Sequence, residues 1–142
     1  MRGLLDVNVL IALLDADHSL HGAALAWFTK SARDGWASCP ITQNGCVRIM
    51  SHPGYPNPLP VNQVVERLRE ATLSTVHEFW PDDVSVLDEK VLDATRVHGP
   101  RQLTDLYLLA MAVRRGGSFV TFDASIAHEA VRGAGARHLV QL

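Results

Sequence analysis

Short apolar runs alternate along this chain with longer segments whose apolar positions recur at helical spacing. Gly3–Leu5 reads as a brief buried strand, and after Asp6-Val7-Asn8 the stretch Val9–Leu14 continues as an apolar helix. His21–Lys30 carries Ala24, Leu25, Trp27 and Phe28 on one helical stripe, which predicts a second, amphipathic helix. Trp36–Cys39 predicts a second strand, closed by Pro40, and Thr42–Met50 a third helix. Ser51–Pro60 holds four of the seven prolines, at positions 53, 56, 58 and 60. That density is incompatible with a helix or a central strand and predicts an ordered loop. Val61–Ala71, with Val64, Val65 and Leu68 on one face, predicts a fourth helix, and Thr75–Phe79 a third strand. Val91–Val97 reads as helical up to the break at Gly99-Pro100. Thr104 suits the N-cap of a helix over Asp105–Arg115, whose buried stripe is Leu106, Leu109, Ala110 and Val113 and whose stop is Gly116-Gly117. Ser118–Thr121 predicts a strand, Ser125–Val131 a short helix and His138–Leu142 a last strand.

Alternating strands and helices predict a parallel sheet covered on both faces. With no linker, repeat or low-complexity segment in view, the expectation is one three-layer α/β/α domain over residues 1–142. Composition narrows the class further. At 47% hydrophobic residues the chain can bury a core. Its longest apolar run, Leu106–Val113, falls far short of the ~20 residues a membrane span needs. Asp6 and Asn8 interrupt the N-terminal apolar stretch, so it does not read as a signal peptide. Cys39 and Cys46 form neither a CxxC pair nor a disulfide framework, and read as thiols in a reducing cytoplasm. A net charge of −2 argues against a protein that coats nucleic acid non-specifically. Eleven of the thirteen basic residues are arginine, a side chain suited to bidentate phosphate contacts and common on surfaces in general.

Ligands of such sheets bind beyond the carboxyl ends of the strands. Asp6 lies just past the first strand, Asp123 just past Ser118–Thr121, and Asp105 in the first turn of its helix, so all three can face one end of the sheet. Two unit charges 4 Å apart cost about 4 kcal/mol at an effective dielectric of 20. Clustered carboxylates therefore hold either a proton or a cation. Hard oxygen ligands suit Mg²⁺, or Mn²⁺ in its place, and such an ion can brace the charge of a phosphodiester in transition. The same positions also suit plain capping: Asp105 complements a helix dipole, and Asp123 can cap the helix after it.

Leu4-Leu5-Asp6-Val7-Asn8-Val9-Leu10-Ile11-Ala12-Leu13, Thr104-Asp105-Leu106-Tyr107-Leu108-Leu109-Ala110 and Val120-Thr121-Phe122-Asp123 resemble, in order and spacing, the motifs of PIN-domain nucleases. The group most similar is the VapC-type toxins of bacterial toxin–antitoxin modules. The resemblance implies a parallel sheet in the order 3-2-1-4-5 and Mg²⁺-dependent cleavage of RNA. It matches Asp6 and Asp105 to the principal metal ligands, Asp123 to the last acidic residue, and Asn8 and Thr121 to polar positions that line or orient the site. It also implies a homodimer and a cognate antitoxin. In one departure, Gln43 stands where these nucleases carry a glutamate on the third helix. A neutral amide can orient water or phosphate but supplies no charge. The alternative reading is therefore a PIN fold that binds RNA or protein without cutting.

Other chemistry finds less support. The seven histidines form no HExxH or similar ligand pair; His18 and His21 read as a polar turn beside the groove. Arg48, Arg96, Arg101, Arg114 and Arg115 offer phosphate contacts, most of which are expected to be solvated helix faces. Trp27, Trp36 and Trp80 read as core or interface residues. A phosphotransfer enzyme of the dehalogenase type needs an aspartate at position 8, which is Asn8. That enzyme and a receiver domain both need a late lysine, yet the last is Lys90.

Overall fold

A computed structural model describes residues 1–142, the side chain of residue 32 apart. Five short strands build the centre: β1 (Gly3–Leu5), β2 (Trp36–Ser38), β3 (His77–Phe79), β4 (Ser118–Thr121) and β5 (Leu139–Gln141). All pair in parallel, in the order β3-β2-β1-β4-β5. The helices are α1 (Val7–Leu14), α2 (His21–Ser31), α3 (Pro40–Met50), α4 (Val61–Thr72) and α5 (Leu103–Arg114). The strand order agrees with the expectation.

The central strands are apolar on both faces because both faces are covered. Successive side chains point to opposite sides, so Leu4, Ala37 and Phe119 meet Leu106, Leu109 and Met111 of α5, together with Trp80. Leu5, Trp36 and Val120 point the other way, into a core shared with Val9 and Leu10 of α1, Ala24 of α2, Cys46 and Met50 of α3, and Val64 and Leu68 of α4. Each fully buried Leu or Phe contributes about 1.5–3 kcal/mol relative to exposure. The two layers therefore hold β1 and β4, the strands that carry the candidate acids, from both sides.

Two predicted helices are absent. Over Val91–Val97 and Ser125–Val131 the chain makes only single 3₁₀ turns, Ala94–Arg96 and His128–Ala130. The reason is non-local. Leu92 bridges Val131 in antiparallel fashion, Asp93 donates its N–H to Ala130 O at 2.8 Å, and Arg132 donates to Val91 O at 2.9 Å. These segments spend their backbone groups on each other rather than along a helix. Thr104 is not a cap either. A 3₁₀ turn over Pro100–Gln102 runs directly into α5, Leu103 N–H donates to Pro100 O, and Thr104 falls inside the first helical turn. The proline-rich stretch is a loop, as expected; its Tyr55 hydroxyl donates to Asp15 Oδ2 at the end of α1.

Candidate active site

The carboxyl end of β1 turns at once into α1, and Asp6 is the residue at the turn. Its backbone is extended (φ −62°, ψ 156°), and its Oδ1 accepts the N–H of Val7 at 2.7 Å as the N-cap. Only 7% of Asp6 is exposed. Its second oxygen, Oδ2, accepts a hydrogen bond from Thr121 Oγ1 at 2.6 Å. Thr121 ends the neighbouring strand β4 and is fully buried. Its hydroxyl oxygen in turn accepts from the Asp123 N–H at 3.0 Å and from Asn8 Nδ2 at 3.4 Å. Asn8 closes the ring by accepting from the Phe122 N–H at 3.4 Å. One threonine thus fixes the rotamer of Asp6, the start of α1 and the loop after β4 together.

Asp105 reaches the same place from the first turn of α5, on the opposite layer. Asp6, Asn8, Asp105 and Asp123 share a cleft of about 380 Å³, whose remaining walls include Ile11, His18, Ile49 and Tyr55. Asp123 is itself held by an Asx turn: its Oδ1 accepts the N–H and hydroxyl of Ser125, both at 2.8 Å. The helix it was expected to cap is absent, and this local turn holds it while leaving it in the cleft.

The electrostatics follow from the crowding. Burial raises the pKa of Asp6 above the ordinary 3.8, the bonds from Thr121 and Val7 oppose the rise, and the charge of Asp123 adds to it. Asp105 is pushed up to about 7, by burial first, then by the charges of Asp6 and Asp123 and a hydrogen bond to Asp123. Asp123 moves the other way, because the Ser125 bonds and the bond with Asp105 favour its charged form. Near neutral pH Asp105 is therefore balanced between its protonated and charged forms, whereas an ordinary aspartate is charged throughout. The donor set is all hard oxygen, which suits Mg²⁺ or Mn²⁺. Among the described residues no group of three or more His, Cys, Asp or Glu side chains is arranged so that it could hold a metal ion by itself. An open site of this kind matches Mg²⁺, which takes one or two carboxylates and keeps several waters.

Gln43 is not among the cleft residues, contrary to the placement its sequence position suggested. Its Nε2 donates to Ser38 Oγ at 3.0 Å, and Ser38 Oγ is bonded in turn to His77 Nε2 at 2.8 Å. Gln43 lines a separate groove between α3 and α4 with Asn44 and Arg69. The cause is helical phase: positions 45 and 49, four apart, share the stripe of α3 that faces the site. Ile49 lines the cleft, and a Cβ at Gly45 would stand 2.7 Å from Val7 Cγ2. His18 does border the cleft, while His21 braces the end of α1 through Ala12 O at 2.7 Å. Of the arginines weighed for phosphate contact, Arg114 and Arg115 pair with Asp83 and Arg96 with Asp93. Tyr55 was not anticipated; nothing in the spacing of a proline-rich loop signals which side chain it turns inward.

Comparison with known proteins places the chain in a family. The family described as PIN domain matches residues 3–131. The chain is 56% identical to ribonuclease VapC44 of Mycobacterium tuberculosis over 142 residues, all of both chains. Among solved structures it resembles Mycobacterium tuberculosis VapC20, a Sarcin-Ricin loop cleaving toxin, with a TM-score of 0.61 at 14% identity over 93% of this chain and 98% of that one. It also resembles VapBC2 of Rickettsia felis bound to a DNA fragment from their promoter, with a TM-score of 0.59 at 12% identity over 100% and 98%.

Proposed function

This chain belongs to the PIN domain family, and on that premise we propose that it is a ribonuclease, the toxin of a toxin–antitoxin pair, hydrolysing RNA phosphodiester bonds in the cleft of Asp6, Asp105 and Asp123. The observation that carries the reading is the convergence of three carboxylates, from just past β1, from α5 and from just past β4, on one cleft, crowded enough to push Asp105 up to about 7. Full-length identity to a named ribonuclease supports the same activity.

Asp6 and Asp105 would hold a divalent cation, Mg²⁺ or Mn²⁺. When bound, such an ion offsets the mutual repulsion of the acids and stabilises the charge that builds on the phosphodiester. Thr121 holds Asp6 in one rotamer by donating to Oδ2, and in that rotamer Asp6 lines the cleft. Asn8 keeps Thr121 in that orientation. Asp123, its pKa lowered by the Ser125 bonds, is a further carboxylate of the cleft, and its charge helps to raise the pKa of Asp105.

No helix is long and apolar enough to cross a membrane among the described residues. A cytoplasmic location, a homodimer and a cognate antitoxin chain complete the proposal, the last in line with the VapBC2 structure that shares this fold. The test is cleavage of RNA by antitoxin-free protein with Mg²⁺ or Mn²⁺ and with EDTA. Cleavage is expected with either ion and none in EDTA. Undiminished cutting in EDTA, by a preparation shown free of other nucleases, overturns the metal-dependent site.

A further inference from the structure

A second cavity, of about 460 Å³, adjoins the carboxylate cleft, and His18 and Tyr55 wall both. We propose that it is a base-reading subsite, which takes the nucleobase next to the phosphate being cut and selects guanine. This rests on the ribonuclease reading above and adds what that reading leaves open, the sequence the enzyme prefers.

The size is right for a nucleobase with part of its sugar, since small-molecule sites run from about 300 to 1,000 Å³. The walls are pre-set. Asp15 at the end of α1 accepts the Tyr55 hydroxyl on Oδ2 and the Asp17 N–H on Oδ1 at 3.0 Å. Those bonds, the Tyr55 bond first, hold its carboxyl below the usual range, so it is charged at neutral pH. Pro56 and Pro58 flank Asn57, which sits in left-handed backbone (φ 54°), so its amide is presented by a loop with little freedom to lose. Met50 contributes an apolar wall, and Tyr55 lines both this cavity and the carboxylate cleft.

The polar groups choose the base. A carboxylate offers about four lone-pair sites, and Asp15 has committed two, so two acceptors remain. Arg67 of α4 lines the same cavity, where its charge helps to keep Asp15 ionised; among the described residues the one hydrogen bond of its side chain is a long one, Nη1 to Leu14 O at 3.4 Å, which leaves other guanidinium donors to offer. The acceptors of Asp15 and the guanidinium donors of Arg67, both on the walls of this cavity, complement guanine, whose N1–H and exocyclic amine are adjacent donors and whose O6 and N7 are adjacent acceptors. Adenine, cytosine and uracil each lack one half of that set. Single-stranded RNA is the form whose bases can be splayed into such a cavity beside an aromatic ring.

The test uses short single-stranded RNAs with guanosine, inosine (no exocyclic amine) or 7-deazaguanosine (no N7) on either side of the cleaved phosphate, with Mn²⁺ supplied. The parent protein is expected to cut the guanosine substrate at least roughly tenfold better, in kcat/KM, than either analogue at one of the two positions, as for a lost hydrogen bond to a charged group. Asp15→Asn should abolish the preference over inosine and keep that over 7-deazaguanosine, while Arg67→Met should do the reverse. Each ratio is taken within one protein, so a smaller folded fraction cancels. Cleavage by the parent without discrimination among the three substrates, or discrimination that survives both substitutions, overturns the subsite alone. No cleavage of any RNA by the parent overturns the ribonuclease reading and the subsite with it.

Discussion

Asp105 keeps its proton up to about pH 7, where an ordinary aspartate loses it near 3.8, because burial and the charges of Asp6 and Asp123 disfavour its ionised form. Between those two values the folded chain binds a proton that the unfolded chain has released, so stability falls as pH rises through that window. Asp105→Asn keeps the shape and removes the penalty. In EDTA, its melting temperature is expected to exceed the parent's at pH 8 and to converge on it near pH 4, while RNA cleavage is lost. Calorimetry at both pH values checks this, and a pH-independent difference would contradict the assigned cause. Gln43→Glu tests the site from outside. Because Gln43 is bonded to Ser38 in a different groove, titration with Mn²⁺ should give the same affinity for this variant and the parent. A tenfold gain, about 1.4 kcal/mol, would mean that position 43 does reach the cleft. Asp6, Asp105 and Asp123 were legible as acids able to face one end of the sheet because two lie just past strands and one lies in the first turn of a helix, where topology fixes direction, whereas Thr121 entered only through the family resemblance. Gln43 was misplaced because two positions along a helix rotate a side chain by more than half a turn, and no sequence pattern fixes the phase at which α3 docks.

Between elements, the contact that sets the cleft is that of α1 on α3. Gly45 lets the two helices close: a Cβ there would lie 2.7 Å from Val7 Cγ2, on a β-branched side chain with little freedom to turn away. Gly45→Ala gains about 1 kcal/mol of helix propensity. It costs about 1–3 kcal/mol in overpacking. The net expectation is a lower urea midpoint and reduced cleavage, since α1 carries Asn8 and is capped by Asp6. Adding Val7→Ala to Gly45→Ala should return part of both. If Gly45→Ala is as stable as the parent and as active, the helices tolerate separation and the contact does not position the site. The central strands β1, β2 and β4 were readable because they are buried on both faces, while the more exposed edge strands, read as Thr75–Phe79 and His138–Leu142, are shorter, at His77–Phe79 and Leu139–Gln141. The helices were readable from their stripes. Val91–Val97 and Ser125–Val131 were not, because each satisfies its backbone on the other, some 40 residues away along the chain, and local periodicity carries no trace of such a pairing.

At the scale of the whole molecule, the strand order does the assembling. Placing β1 beside β4 sets Asp6 next to Thr121 and Asp123, although more than 110 positions separate them in the chain. The layer on the other face then brings Asp105 in from α5. An arrangement this crowded carries electrostatic strain in the metal-free state, which a fold has little reason to keep unless a ligand relieves it. If that ligand is a cation that arms an RNA-cutting cleft, the free protein is hazardous to the cell that makes it. Expression of the parent chain in a bacterium is therefore expected to arrest growth. Asp6→Asn, with an amide of nearly the same shape in the same Thr121 bond, should be made in equal amount and leave growth unaffected. Co-expression of the protein encoded beside this one should relieve the arrest, and the two should co-purify. Growth curves with matched soluble protein on immunoblots make the comparison. Normal growth in the presence of abundant soluble parent protein would remove the toxin role while leaving the cleavage chemistry to its own assay. Arrest by Asp6→Asn as strong as by the parent would separate the toxicity from the carboxylate cleft altogether.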